Sequence, residues 1–190
     1  MLASPGVSPF SPRKVMTAAA LSVENAVSRH TLVVLVDNEP GVLARVIGLF
    51  SGRGYNIESL TVAEVDPEKH ISRITIVTTG TLLIVEQIKA QLGRLVPVHL
   101  VKDLTVTGRA VERELALIKV HATGMQRVEC LMLADSYRAH VVDTTADSFI
   151  FEVTGSAEKI AAFLRVVEPI GVVELARAGV VAMDRGGGHL

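Results

Sequence analysis

A doubled order of hydrophobic periods constrains this chain more than any other feature. His30 to Asp37 (HTLVVLVD) is a short run apolar on both faces, the pattern of a central strand. Asn38-Glu39-Pro40-Gly41 breaks it. Leu43, Val46, Ile47 and Phe50 then recur at helical spacing, and Gly52 and Gly54 close that helix. From Asn56 to Val65 apolar residues alternate with Glu58, Ser59, Thr61 and Glu64, which predicts an edge strand. Asp66-Pro67-Glu68-Lys69 is a turn, and Ile71 to Thr78 a third strand. Val85, Ile88, Leu92 and Leu95 mark a second helix face, and Pro97 opens a fourth strand that runs to about Val106. The order is β-α-β-β-α-β.

The same order returns. Leu115 to His121 reads as a strand, and Val128, Leu131, Met132 and Asp135 share one face of a helix. His140 to Thr145 and Phe149 to Thr154 are strands around Asp147-Ser148. Ile160, Phe163, Leu164 and Val167 form a helix face that Pro169-Ile170-Gly171 is expected to end, and Val172 to Met183 holds the last strand. Two tandem ferredoxin-like βαββαβ domains of the α+β class follow. Right-handed crossovers put both helices of each on one sheet face, with spatial strand order 4-1-3-2. The second strand is left on an edge, and the other sheet face needs cover, so association between copies is expected. The division expected is a disordered extension over 1–28, a first domain over 29–107, a linker over 108–114, a second domain over 115–186 and a flexible tail over 187–190. A transit peptide is the alternative reading of 1–28.

Composition narrows the function classes. Hydrophobic residues make up 49% and aromatics 4%, with 29 valines, so the load is aliphatic and suits well-covered sheets. A formal net charge of −1 gives no electrostatic reason to expect nucleic acid, and scattered rings leave no stacking platform. No apolar run is long enough to cross a membrane. The lone Cys130 sits in an apolar helical stretch and reads as an inert core thiol. A reducing compartment, the cytoplasm, is expected.

No catalytic constellation emerges. The six histidines fall at no metal-ligand spacing and read as solvated or strand-face residues. Gly48-x-x-x-Gly52-x-Gly54 closes a helix rather than opening one, so it is no dinucleotide loop. Asp135, Asp143 and Asp147 suit turns and helix surface. Neither a catalytic residue nor a metal ligand is assigned.

Two places are chemically pointed. Asn38-Glu39-Pro40-Gly41-Val42-Leu43 joins the central strand to the first helix. A helix N-terminus offers unpaired N–H groups and partial positive charge to a carboxylate. Gly41 lets a ligand approach, and the Asn38 carboxamide can meet an ammonium or a carboxylate. The alternative is that Asn38 caps the helix and Gly41 only suits the turn. The second place is Gly52-Arg53-Gly54-Tyr55-Asn56-Ile57-Glu58, leading into the edge strand. Across a dimer made through that edge, Asn56 and Ile57 of one chain could face the Asn38–Gly41 loop of the other.

The run from Asn38 to Val62, NEPGVLARVIGLFSGRGYNIESLTV, resembles the first ACT domain of the acetohydroxyacid (acetolactate) synthase small subunit family. Val111 to Val120 resembles the opening of its second, ACT-like domain, and Ala176 to Val181 with Arg185-Gly186 its close. The resemblance covers about 29–186. It implies a regulatory subunit that does not itself catalyse. Such a subunit activates a large catalytic subunit carrying thiamine diphosphate, FAD and Mg²⁺ on the route to valine, leucine and isoleucine. It confers feedback inhibition, usually by valine, at the interface of an ACT homodimer. The effector residues it implies are Asn38, Pro40, Gly41, Val42, Leu43, Asn56 and Ile57. His121-Ala-Thr-Gly124-Met125 does not repeat the motif and is assigned to subunit contact. The alternatives are a free-standing ACT-type amino-acid sensor or transcription regulator, and an enzyme on a ferredoxin-like fold.

Overall fold

The computed structural model describes residues 26–106 and 108–187. The first domain runs β1 (Ser28–Asp37), α1 (Val42–Ser51), β2 (Ser59–Asp66), β3 (Ile71–Gly80), α2 (Leu82–Leu92) and β4 (Val98–Asp103). The second runs β5 (Ala110–His121), α3 (Met125–Ser136), β6 (His140–Thr144), β7 (Ser148–Gly155), α4 (Ala157–Gly171) and β8 (Val172–Asp184). Their sheets are ordered β2-β3-β1-β4 and β6-β7-β5-β8, with every neighbour antiparallel. This is the expected ferredoxin-like topology, twice.

Strand alternation decides where each core lies. Leu32, Val34 and Val36 point from β1 to the helical side and meet Val42, Val46 and Phe50 of α1 and Val85, Ile88 and Leu92 of α2. Ala116, Ile118 and Val120 of β5 do the same against Cys130, Ala134, Ile160, Phe163 and Val167. The opposite face of β1 is not left bare: Val33 packs with Leu104, Ala182 and Ala110, so the second domain lies against the first. Each domain opens its second helix with a hydroxyl cap. Thr81 accepts from Ile84 N, and Ser156 accepts from Lys159 N. The first helices open instead on Gly41 and Gly124, with no side-chain cap.

Four expectations need correction. The linker is shorter than 108–114, because 110–114 already belongs to β5 and pairs with 180–184 of β8. The edge strand begins at Ser59, not Asn56, since Glu58 N first reaches the ladder by bonding Val77 O at 2.8 Å. Pro169 lies inside α4 rather than ending it; its ring fixes a helical φ, and in the last turn only one N–H is lost. In α1 the buried face is Val42, Val46 and Phe50, while Leu43 is 38% exposed. In α3 the face shared by Val128, Leu131 and Met132 turns out to be the outer one, while Cys130, expected in the core, is buried there with Ala134.

His30 is not solvated. It lies on β1 at 5% exposure; its Nδ1 is 2.8 Å from Asp103 Oδ2, and Ser28 Oγ is 2.8 Å from its Nε2. The other Asp103 oxygen accepts from Thr105 N at 2.8 Å. This chain ties β1 to β4 and satisfies buried polar atoms that would otherwise be costly.

Candidate functional site

The β1–α1 loop is held at three points. Asp37 N donates to Pro97 O at 2.9 Å, and Asp37 Oδ1 lies 2.6 Å from His99 Nε2. Asn38 N donates to His70 O at 2.6 Å. The Asn38 side chain does not cap the helix: its Nδ2 donates to Glu64 Oε1 on β2 at 2.9 Å. Gly41 takes the cap position with φ 87°, a left-handed conformation that other residues rarely adopt. A Cβ built there would find nothing within 4 Å. No acidic side chain stands in the first turn. The helix therefore presents its positive end to open space, beside an exposed carboxamide. Of the two readings of Asn38, the capping role is the one the structure removes.

Val42 is buried at 3% and anchors the first turn, while Leu43 offers an apolar surface at the loop's margin. Pro40 is exposed beside Gly41. These five residues, Asn38, Pro40, Gly41, Val42 and Leu43, are brought together. Asn56 and Ile57 are not with them. Asn56 is exposed and its carbonyl accepts from Thr78 Oγ1 at 2.6 Å; Ile57 is half-buried against the first core. Thr78 pairs with His30, whereas Asn38 follows Asp37, which pairs with Ile71. Eight residues of strand separate the two ends, about 26 Å. One protomer therefore holds the two halves at opposite ends of its sheet.

Sequence reasoning missed Glu64 and His70, which hold Asn38 in place. Glu64 also lies 3.8 Å from His70 Nδ1. The loop of the second domain is different in kind. Ala122, next after His121, is fully buried and has no polar side chain to offer. Arg127 folds over the Phe149 ring at 4.1 Å and donates to Thr144 Oγ1 at 3.1 Å. Cys130 is buried, which pushes its thiol pKa up and away from thiolate chemistry. Asp147 accepts from Thr145 Oγ1 at 2.7 Å and serves its turn, as expected. Among the described residues no group of three or more His, Cys, Asp or Glu could hold a metal ion, and no helix is long and apolar enough to cross a membrane.

Residues 32–99 match the family described as the AHAS small subunit-like ACT domain, and residues 113–186 that described as the small subunit of acetolactate synthase. A probable acetolactate synthase small subunit from Archaeoglobus fulgidus is 49% identical over 158 residues, covering 83% of this chain and 98% of the relative. The isozyme 3 small subunit from Escherichia coli is 45% identical over 159 residues, covering 83% and 96%. The crystal structure of the acetolactate synthase small subunit from Thermotoga maritima superposes with a TM-score of 0.78 at 37% identity, covering 84% of this chain and 99% of that one. With both domains matched in order and four-fifths of the length aligned to such relatives, the chain belongs to the acetolactate synthase small subunit family.

Proposed function

We propose that this small subunit senses valine, or another branched-chain amino acid, between two copies of its first domain, and passes that occupancy to a catalytic large subunit. The partner carries thiamine diphosphate, FAD and Mg²⁺ and performs the carbon–carbon bond formation; this chain activates it and makes it feedback-sensitive. Both work in the cytoplasm. The observation that carries the reading is the uncapped α1 terminus at Gly41 beside the Asn38 carboxamide, with Asn56 and Ile57 at the far end of an edge strand. If β2 pairs antiparallel with β2 of a second copy, the start of one strand lies beside the end of the other. Asn56 of the partner subunit then comes to the Asn38 loop. The amino acid's carboxylate takes the helix terminus and the asparagine carboxamides take its ammonium. Its side chain rests on Leu43 and on Ile57 of the partner subunit.

The mechanism is linkage. Effector binds one arrangement of the domains better, and that arrangement activates the catalytic subunit less. Reconstitution with the catalytic subunit, assayed with and without valine, leucine and isoleucine, tests it. Stimulation by this chain, reversed by at least one of the three, is the expected result. No complex and no stimulation would favour a free-standing sensor instead.

A further inference from the structure

We infer that β8 carries effector occupancy from the first domain to the second, through a ridge of contact centred on β2 and β3. The inference rests on the effector site proposed above.

β8 pairs with β5 in its own sheet, and its last residues lie against the helix-free face of the other domain. There the backbone of Val180 is satisfied by side chains from β2. Val180 N donates to Ser59 Oγ at 2.8 Å, and Thr61 Oγ1 donates to Val180 O at 2.8 Å. Further along, Arg73 of β3 donates to Ala182 O, and Lys102 Nζ meets Asp184 Oδ2 at 2.5 Å. Gly179 permits the approach. Its φ is +83°, and a Cβ there would stand 2.9 Å from both Ser59 Oγ and Thr61 Cγ2.

Three features suit this ridge to carry a change between the domains. The first is its course. Ser59 lies two residues past Ile57, while Arg73 pairs with Ala63, next to the Glu64 that holds Asn38. The ridge thus runs from the Asn56 end of the first sheet to the Asn38 end. In the proposed dimer those ends belong to two different effector sites, so a ligand at either acts on a strand that β8 touches. The second is its chemistry. Beside the small cluster of Val33, Leu104, Ala110 and Ala182, the contact carries hydrogen bonds to Val180 and Ala182, the Lys102–Asp184 pair, and the bonds of Arg29 and Thr31 to Glu112 of β5. Polar interfaces between domains are the kind that permit relative motion. The third is room. An open cleft of about 510 Å³ bordered by Leu60, Glu114 and Arg177 flanks the ridge on one side. Another of about 580 Å³, bordered by Val65, Val111 and Met183, flanks it on the other. A shift of β8 between them leaves the two helix-facing cores closed, disturbs only the small Val33, Leu104 and Ala182 cluster, and is passed to the second sheet by the ladder with β5.

Ser59→Ala combined with Thr61→Val removes both bonds to Val180 and adds no bulk. Valine binding to the isolated variant is measured by calorimetry, and the holoenzyme reconstituted with it is assayed beside the parent. Valine affinity within about twofold of the parent, full activation, and inhibition at saturating valine cut by about threefold or more are expected. Inhibition equal to the parent's overturns the inference. A variant that loses both binding and activation has misfolded. Arg73→Met, which cuts the ridge at its other end, then decides by the same two readouts. A parent chain that binds none of the three branched-chain amino acids refutes the effector site itself and takes the inference with it, a result distinct from a variant that stays coupled.

Discussion

Gly41→Asp, set against Gly41→Asn, isolates the electrostatics of the proposed effector site. Both side chains point into open space, since a Cβ at Gly41 meets nothing within 4 Å. Both accept the same backbone penalty at φ 87°, roughly 1 kcal/mol, asparagine and aspartate being the side chains that tolerate it best. The aspartate recovers about 0.3–1 kcal/mol from the helix terminus, so the folded chain should lose little stability. The ligand feels the charge differently. Two carboxylates about 5 Å apart repel by roughly 1–3 kcal/mol as the effective dielectric goes from about 60 to about 20. Gly41 is exposed, so the lower part of that range applies, and valine affinity should fall about five- to tenfold relative to Gly41→Asn. Calorimetry of the isolated variants at low and physiological salt reads this directly. The Asp–Asn gap should narrow as salt rises, because screening sets in near 8 Å at about 0.15 M. Equal affinities for the two variants, or a gap indifferent to salt, would refute the placement of the ligand carboxylate at this terminus.

Other consequences are more local. Phe163 is fully buried between Phe151, 5.9 Å away edge-on, and Tyr137 at 5.4 Å, so Phe163→Ala should cost about 3–5 kcal/mol and lower the urea midpoint of the second domain. Asp147 is held below its ordinary carboxylate range first by the Thr145 hydroxyl. A lowered folded-state pKa contributes stability that is present above the unfolded value and lost as pH falls through the folded one. NMR titration should show the Asp147 midpoint moving upward in Thr145→Val; an unmoved midpoint would discount that hydrogen bond.

Much of the fold could be read from the residues because two periods, of 2 and of 3.6, alternate in the same order twice. β1 and the whole doubled topology followed from that alone. Boundaries followed less well, for reasons the structure supplies. The charges at Glu112, Arg113 and Glu114 read as a linker, yet both acids have a cross-domain or cross-strand use: Arg29 and Thr31 bond Glu112, and Arg177 clasps Glu114 with two hydrogen bonds. Strand residues spent on such contacts lose the alternation that betrays a strand. At the site, Gly41 was legible because a left-handed helix entry favours glycine. The hold of Glu64 on Asn38 was not, since 26 residues lie between them and only the β2–β3 hairpin closes the distance. The buried pair of His30 and Asp103, 73 residues apart, was hidden in the same way.

The face that α3 turns outward bears on what the aliphatic composition means. Val128, Leu131 and Met132 share one helical face, and they are 51%, 44% and 68% exposed. The volume beneath α3 is already taken. Phe149, Phe151 and Phe163 fill it, with Tyr137 against Phe163. Close packing then admits only small side chains at the contact, which are Cys130 and Ala134. The first domain buries one phenylalanine, Phe50, with Tyr55 at its edge, and fills the rest of its core with Val, Ile and Leu from α1 and α2. Near-identical topologies thus fill the space under their first helices differently. α1 turns Val42, Val46 and Phe50 inward. α3 turns only Cys130 and Ala134 inward, over a floor of phenylalanine rings, and carries Val128, Leu131 and Met132 on its outer face.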